Sequence, residues 1–329
     1  MAWRHDTIYI ILKEKEKETL CEKNMKKQTL SSFMCLLAAA IWGFAFVAQK
    51  AAAVLPAFTL ITLRSFIGAI FLIPVVMLFD RLRGDGRRLF SKKGIGVTRA
   101  EWIGGLLCGL ALTAATVFQQ FGIEGTDAGK TAFITALYVV IVPIYGLFLG
   151  RRSPLHVWIS IGIAVVGFYF LCIGEAFTVA PSDLLVLVCA LLFAFHILVI
   201  DRFVERCDGV RLSCIQFFTV AVISFILSLI FDRGVSATAI FENALPILFL
   251  GIGSSGIAYT LQILGQKGAH PAVASVLLSM ESVFGVLGGV LVLGERLSAR
   301  EILGCIIVFA AVILSQLPVS EWVKNRKSK

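Results

Sequence analysis

The sequence predicts an all-α polytopic membrane protein with ten transmembrane helices arranged as two inverted five-helix repeats. Three observations carry this: long apolar runs, basic residues confined to the segments between alternate runs, and a match between the two halves. The 329 residues are 58% apolar and 16% charged, with a mean hydropathy of +0.90. A soluble fold does not use so much apolar sequence in such long runs.

A helix crosses the hydrocarbon layer with about 20 apolar residues at 1.5 Å rise each. Residues 28–49, 102–123, 131–150, 153–174, 184–200, 212–231, 243–266 and 302–320 meet or approach this length without a charge. Two further runs, 51–79 and 268–294, are interrupted by one charge each, Arg64 and Glu281. The basic residues imply that both cross. With ten spans and a cytoplasmic N-terminus, 24 of the 30 Lys and Arg fall on the cytoplasmic side and five opposite, with Arg64 inside span 2. If either interrupted run failed to cross, RLRGDGRRLFSKK or KNRKSK would land outside, against the positive-inside bias. The same placement accounts for the net charge of +9 without nucleic acid as a partner.

Residues 1–30 form a charged cytoplasmic segment and 319–329 a basic cytoplasmic tail. The first 27 residues lack the apolar core of a signal peptide, and KEKEKE fits a solvated helix. Met25 opens MKKQTLSSFMCLL, which resembles the start of a membrane protein, so the preceding 24 residues are expected to be dispensable. The eight cysteines, six of them in apolar runs, show no CxxC pair. They read as small apolar fillers, with no disulfide framework and no metal site.

Ten spans divide into halves 31–174 and 182–318, and an odd number per half makes them antiparallel, a plan used by many transporters. Residues 101–152 align with 245–296 without gaps, matching Gly109 with Gly253, Thr116 with Thr260, Val139 with Val283 and Arg152 with Arg296. Loop charges differ as inversion requires. GRRSP is net positive, whereas its counterpart GERLSARE is neutral.

The alignment also locates candidate site residues. Thr131, Thr135 and Tyr138 share one face of span 4 at i, i+4, i+7, and their mates in span 9 are Ser275, Ser279 and Ser282. A symmetric pair of polar stripes is expected to line a midplane cavity, although hydroxyls in membrane helices also bond their own backbone. In ASVLLSMESVFGVLGG, residues 274–289, Glu281 is the lone charge. Continuous helical geometry places it with Ala274, Gly285 and Gly288 on a close-packing face, so it reads as an interhelical anchor or as a coupling or solute-binding group. By this reading the serines are the better candidates for solute contact.

Arg64 reads either as an anchor for an anion or carboxylate, or as a residue that snorkels or pairs with Glu281. Trp42 either lines the cavity or packs. His196 is a proton-relay candidate or a hydrogen-bonded core residue. Gln119, Gln120, Tyr259 and Gln262 could touch solute or bridge helices. No GxGxxG follows a strand, and no P-loop, HExxH or GxSxG is present in the sequence, so no enzyme activity and no cofactor are expected.

AAAIWGFAFVAQKA in span 1, LRSFIGAIFLIP in span 2, FQQFGIEGTDAGKTAFITALYVVIVP across spans 3–4 and SVLLSMESVFGVLGGVLVLGERL in span 9 resemble the EamA-type family of the drug/metabolite transporter superfamily. The resemblance covers residues 30–318. It implies both termini in the cytoplasm, a central cavity with spans 5 and 10 peripheral, and export or uptake of small metabolites, amino acids or drugs. Relatives often carry Pro directly after the span-9 glutamate. Here that position is Ser282, which leaves open whether the helix breaks there.

The expected function is therefore a permease of small organic metabolites in the bacterial cell membrane, exporting by alternating access. The alternatives are a nucleotide-sugar or sugar-phosphate exchanger and a non-transporting structural membrane protein. The expected partners are a small-molecule substrate and the lipid bilayer. A proton gradient and a second copy in a homodimer are further candidates.

Overall fold

The computed structural model describes residues 2–83, 88–91, 94–126, 128–172, 180–232, 234–293 and 298–317. The basic tail 319–329, Arg233 and Arg296 lie outside them. Among the described residues nine helical segments are long and apolar enough to cross a membrane. The first half holds span 1 (Gln28–Val54), span 2 (Ala57–Leu82), span 3 (Arg99–Glu124) and span 4 (Ala128–Phe148). The second holds span 6 (Pro181–Val204), span 7 (Gly209–Phe231), span 8 (Ala244–Gln266), span 9 (Pro271–Val292) and span 10 (Ala299–Gln316). Span 5, Leu155–Phe170, is a shorter apolar helix. A two-residue antiparallel hairpin, Phe90–Ser91 with Gly94–Ile95, follows span 2.

The helix that contains span 1 begins at Ala2 and runs unbroken to Ala51. At 1.5 Å per residue it is far longer than a bilayer needs, so its charged first half projects from the face bearing the N-terminus, here the near face.

The halves pack as an inverted repeat demands. Span 3 packs on span 6 as span 8 packs on span 1. Spans 1 and 9 match spans 6 and 4, and spans 2 and 8 match spans 7 and 3. The pairs 2–7, 4–9 and 5–10 are their own mates. A pseudo-two-fold axis thus relates all the major contacts between halves, and spans 5 and 10 pair chiefly with each other.

Close approach of spans 1 and 9 depends on Gly43. A Cβ at Gly43 would lie 2.4 Å from Phe284 Cβ and 2.5 Å from its backbone carbon, and backbone cannot rotate away. Gly43→Ala is expected to cost about 1–3 kcal/mol by overpacking, seen as a lower melting temperature in detergent.

Both faces carry polar latches across the halves. At the far face Lys130 Nζ pairs with Asp183 Oδ2 at 2.7 Å, and Thr126 Oγ1 donates to Asp183 Oδ1 at 2.9 Å. Within the first half, Lys50 Nζ caps the far end of span 3, donating to the carbonyls of Ile123 and Thr126 at 2.8 and 2.9 Å. At the near face Arg151 pairs with Asp201, and Arg211 Nη2 meets Asp80 Oδ1 at 2.5 Å. His270, beside Arg151 and Asp201, caps span 9 by accepting from the Ala272 N–H at Nδ1. Burial lowers its pKa, which favours the neutral ring that this acceptor role needs.

Candidate functional site

Spans 4 and 9 are not continuous helices. Span 4 breaks at Leu137, between Ala128–Ala136 and Tyr138–Phe148. Span 9 breaks at Ser279–Met280, between Pro271–Leu278 and Glu281–Leu293. The two breaks fall at nearly corresponding repeat positions, so the absence of proline after Glu281 does not keep the helix whole. Its place is taken by tight i→i+3 bonds, Met280 N to Leu277 O and Ser282 N to Ser279 O, both 3.2 Å. Back-bonding hydroxyls accompany them. Ser275 Oγ donates to Ala272 O and Ser279 Oγ to Val276 O, both at 2.8 Å, a pattern that bends helices.

The break starts a new helix at Glu281, whose carboxylate therefore sits at the positive end of that helix dipole. Span 8 supplies a second irregularity, a π-helical stretch Phe249–Ala258. Such stretches shift the facing of later residues and recur at functional sites.

These irregular segments enclose a cavity between the halves, near the middle of their spans. Span 1 presents one face to it, Trp42, Ala45, Phe46 and Gln49. Spans 2 and 3 contribute Arg64 and Gln119, and span 4 contributes Thr135 and Tyr138. From the other half come Phe193 and Ile197 of span 6, Ser254, Tyr259 and Gln262 of span 8, and Leu278 and Glu281 of span 9. The volume is about 30 Å³, room for one or two waters and far below the 300 Å³ or more of a site for a drug-sized ligand.

Arg64 and Glu281 are each only 3% exposed. They do not pair with each other. Arg64 Nη1 donates to Gln49 Oε1 at 2.9 Å, and Glu281 Oε1 has no hydrogen-bond partner. The Tyr138 hydroxyl neighbours the Glu281 carboxylate but falls outside hydrogen-bond geometry. Trp42 Nε1 and Gln262 Oε1 are likewise buried and unpartnered. Trp42 meets Tyr259 edge-on, with ring centroids 4.6 Å apart.

Of the sequence candidates, Trp42, Arg64, Gln119, Thr135, Tyr138, Tyr259, Gln262 and Glu281 meet at this cavity, and Gln120 does not line it. Thr131, Ser275, Ser279 and Ser282 do not line it. Ser282 Oγ donates to Ala132 O of span 4 at 3.1 Å, joining the two broken spans, and the other two serines bond their own helix. His196 is buried behind the wall, with Nε2 3.2 Å from Gln216 Oε1 and its ring 6.1 Å from that of Tyr259. Gln49 and Ser254 were missed. The i, i+3, i+4, i+7 spacing from Trp42 to Gln49 could have found the first; the π-helix that places Ser254 has no comparable signal.

The EamA-like transporter family model matches residues 29–173 and again 180–317, once per half. This chain belongs to the EamA-like transporter family. Among curated relatives of this EamA-like protein, an uncharacterized transporter of Archaeoglobus fulgidus is 32% identical over 86% of this chain and 84% of its own. The uncharacterized transporter YoaV of Bacillus subtilis is 22% identical over 85% and 94% of the two chains. A solved crystal structure shares the fold with a TM-score of 0.71 at 18% identity, covering 87% of this chain and 96% of that one.

Proposed function

We propose that this EamA-like protein is a secondary transporter that moves small organic metabolites, such as amino acids or drugs, across the cytoplasmic membrane. Both termini lie in the cytoplasm and export is the working direction. The supporting observation is a small cavity between two inverted halves, walled by broken helices and holding buried polar groups without partners. A structural membrane protein gains nothing from such groups, since each costs stability. An exchanger of sugar phosphates would need several cations, and among the described residues Arg64 is the one cation that lines the cavity.

A cavity too small for a solute, latched at both faces, fits an occluded intermediate in alternating access. Solute entry then requires the halves to part at one face. Arg151 and Asp201 form a partly exposed near-face latch, so Asp201→Asn should favour the near-open form by up to about 1 kcal/mol. In a cysteine-free background, a cysteine at Leu278 should react faster with an impermeant thiol reagent from the near face. Unchanged labelling would count against rocking about this latch.

Transport itself is tested by comparative metabolomics of cells with and without the protein, followed by liposome flux of the solutes that change. Solutes should cross protein-loaded liposomes and not empty ones. If none crosses, the transporter reading fails.

A further inference from the structure

We propose that the far-face end of the seam between spans 5 and 10 binds the phosphate of a membrane phospholipid, with Arg300 as its anchor. This site lies at the periphery of the bundle and does not depend on what crosses between the halves.

The seam is tight because glycine permits it. A Cβ at Gly167 of span 5 would lie 2.9 Å from Val308 N and 3.0 Å from the Gly304 carbonyl of span 10. Arg300, four residues before Gly304, shares that face of span 10 and closes the end of the seam. Its guanidinium carbon stands 5.3 Å from the Tyr169 ring centroid and 5.8 Å from that of Phe170, within cation–π range of both. Nε is buried there without a hydrogen-bond partner, a state that costs stability unless something compensates it.

The charge is equally uncompensated. At the same face Lys130 pairs with Asp183, and Lys50 bonds carbonyls at the end of span 3. Arg300 has no acceptor among the described residues. The adjacent Glu301 is committed to the helix cap, where Oε2 accepts from the Ser298 N–H and Oγ at 2.8 and 2.7 Å. As the second residue of the helix Ala299–Gln316, Arg300 also sits at the positive end of its dipole, which favours an anion and disfavours a cation. Side chain and helix end therefore attract the same partner.

The membrane supplies that partner at this level. Tyr169, Val166, Leu303 and Ile306 are exposed beside the seam, apolar surface suited to acyl chains, and Arg300 lies where it ends. A headgroup phosphate is the anion that phospholipids present at this interface, and a guanidinium can hold it bidentately.

The test titrates the thermal stabilisation of the delipidated full-length protein in detergent. The probes are dioleoylphosphatidylethanolamine, whose zero net charge limits attraction to the basic near face, dioleoylglycerol, which lacks the phosphate, and inorganic phosphate. The phospholipid should act at a concentration at least fivefold lower than dioleoylglycerol, and inorganic phosphate should not stabilise over the same range. Arg300→Gln should remove the phospholipid advantage. Tyr169→Leu should weaken it by removing one stacking face, and serves as the second variant if Arg300→Gln does not fold. Arg206→Gln, altered at an exposed near-face position, should leave it unchanged. Equal action of dioleoylglycerol, an advantage that survives Arg300→Gln and Tyr169→Leu, or an equal loss in Arg206→Gln would overturn the proposal. Stabilisation by inorganic phosphate would assign the site to a free anion and overturn the lipid reading.

Discussion

Arg211→Ala is expected to destabilise the protein by about 3–5 kcal/mol, the cost of removing one partner from a buried ion pair. The Arg211 and Asp80 side chains are 2% and 5% exposed, so neither charge has water to replace the other. Asp80 also accepts from the Leu89 N–H at 2.8 Å, which fixes the loop after span 2. Asp208, 3.8 Å from Arg211 Nη1, caps span 7 and donates its own N–H to Glu101 Oε1 at 3.1 Å. Glu101 in turn closes the capping box of span 3 with Thr98. One guanidinium therefore ties the near-face ends of spans 2, 3 and 7, which belong to different halves. The melting temperature in detergent should fall steeply for Arg211→Ala, whereas Arg211→Met with Asp80→Leu should recover most of the loss, because the isosteric apolar pair strands no charge at Asp80. A double mutant as unstable as the single one would show that the pair is not the source.

The apolar runs, the basic-residue asymmetry and the repeat were legible because bilayer thickness and topology act on composition over twenty residues at a time. Arg64 and Glu281 were legible as charges that a span does not carry without cause. Facing was legible only where a helix stays regular. The face from Trp42 to Gln49 obeys 3.6 residues per turn and could be read directly. Across Ser279–Met280 that period fails, because the second half of span 9 starts afresh. Continuous geometry put Glu281 on the packing face with Gly285, which does approach Gly43 and Ala132, but the break turns the carboxylate to the cavity. The serines stay out of the cavity lining for a local reason. In an apolar interior a hydroxyl meets its nearest acceptor, the carbonyl one turn back, as Ser275 and Ser279 do. Symmetry pointed to one segment of each half and could not foresee which of its atoms were already satisfied.

Glu281→Gln is expected to abolish any dependence of flux on a pH gradient while leaving solute exchange measurable. Among the described residues Glu281 is the one carboxylate lining the cavity. Other described acids sit at the ends of spans, where Asp80, Asp183 and Asp201 hold ion pairs and Glu101 a helix cap. A bare carboxylate at mid-membrane is costly, and either a proton or a solute ammonium relieves that cost. The two relief states exclude each other, so a proton and a solute cation would compete for this one group. Glutamine keeps the shape and one acceptor but cannot give up a proton. Losing a charged hydrogen bond, about 1.5–3 kcal/mol, should weaken the binding of a transported solute that contacts this group roughly 10- to 100-fold, so exchange persists at high concentration. In liposomes the gradient-driven component should fall to the protein-free level in this variant, and His196→Asn, altered behind the cavity wall, should keep it. Gradient stimulation that survives Glu281→Gln would remove Glu281 as the proton carrier, and its loss in His196→Asn would move that role to the His196–Gln216 pair.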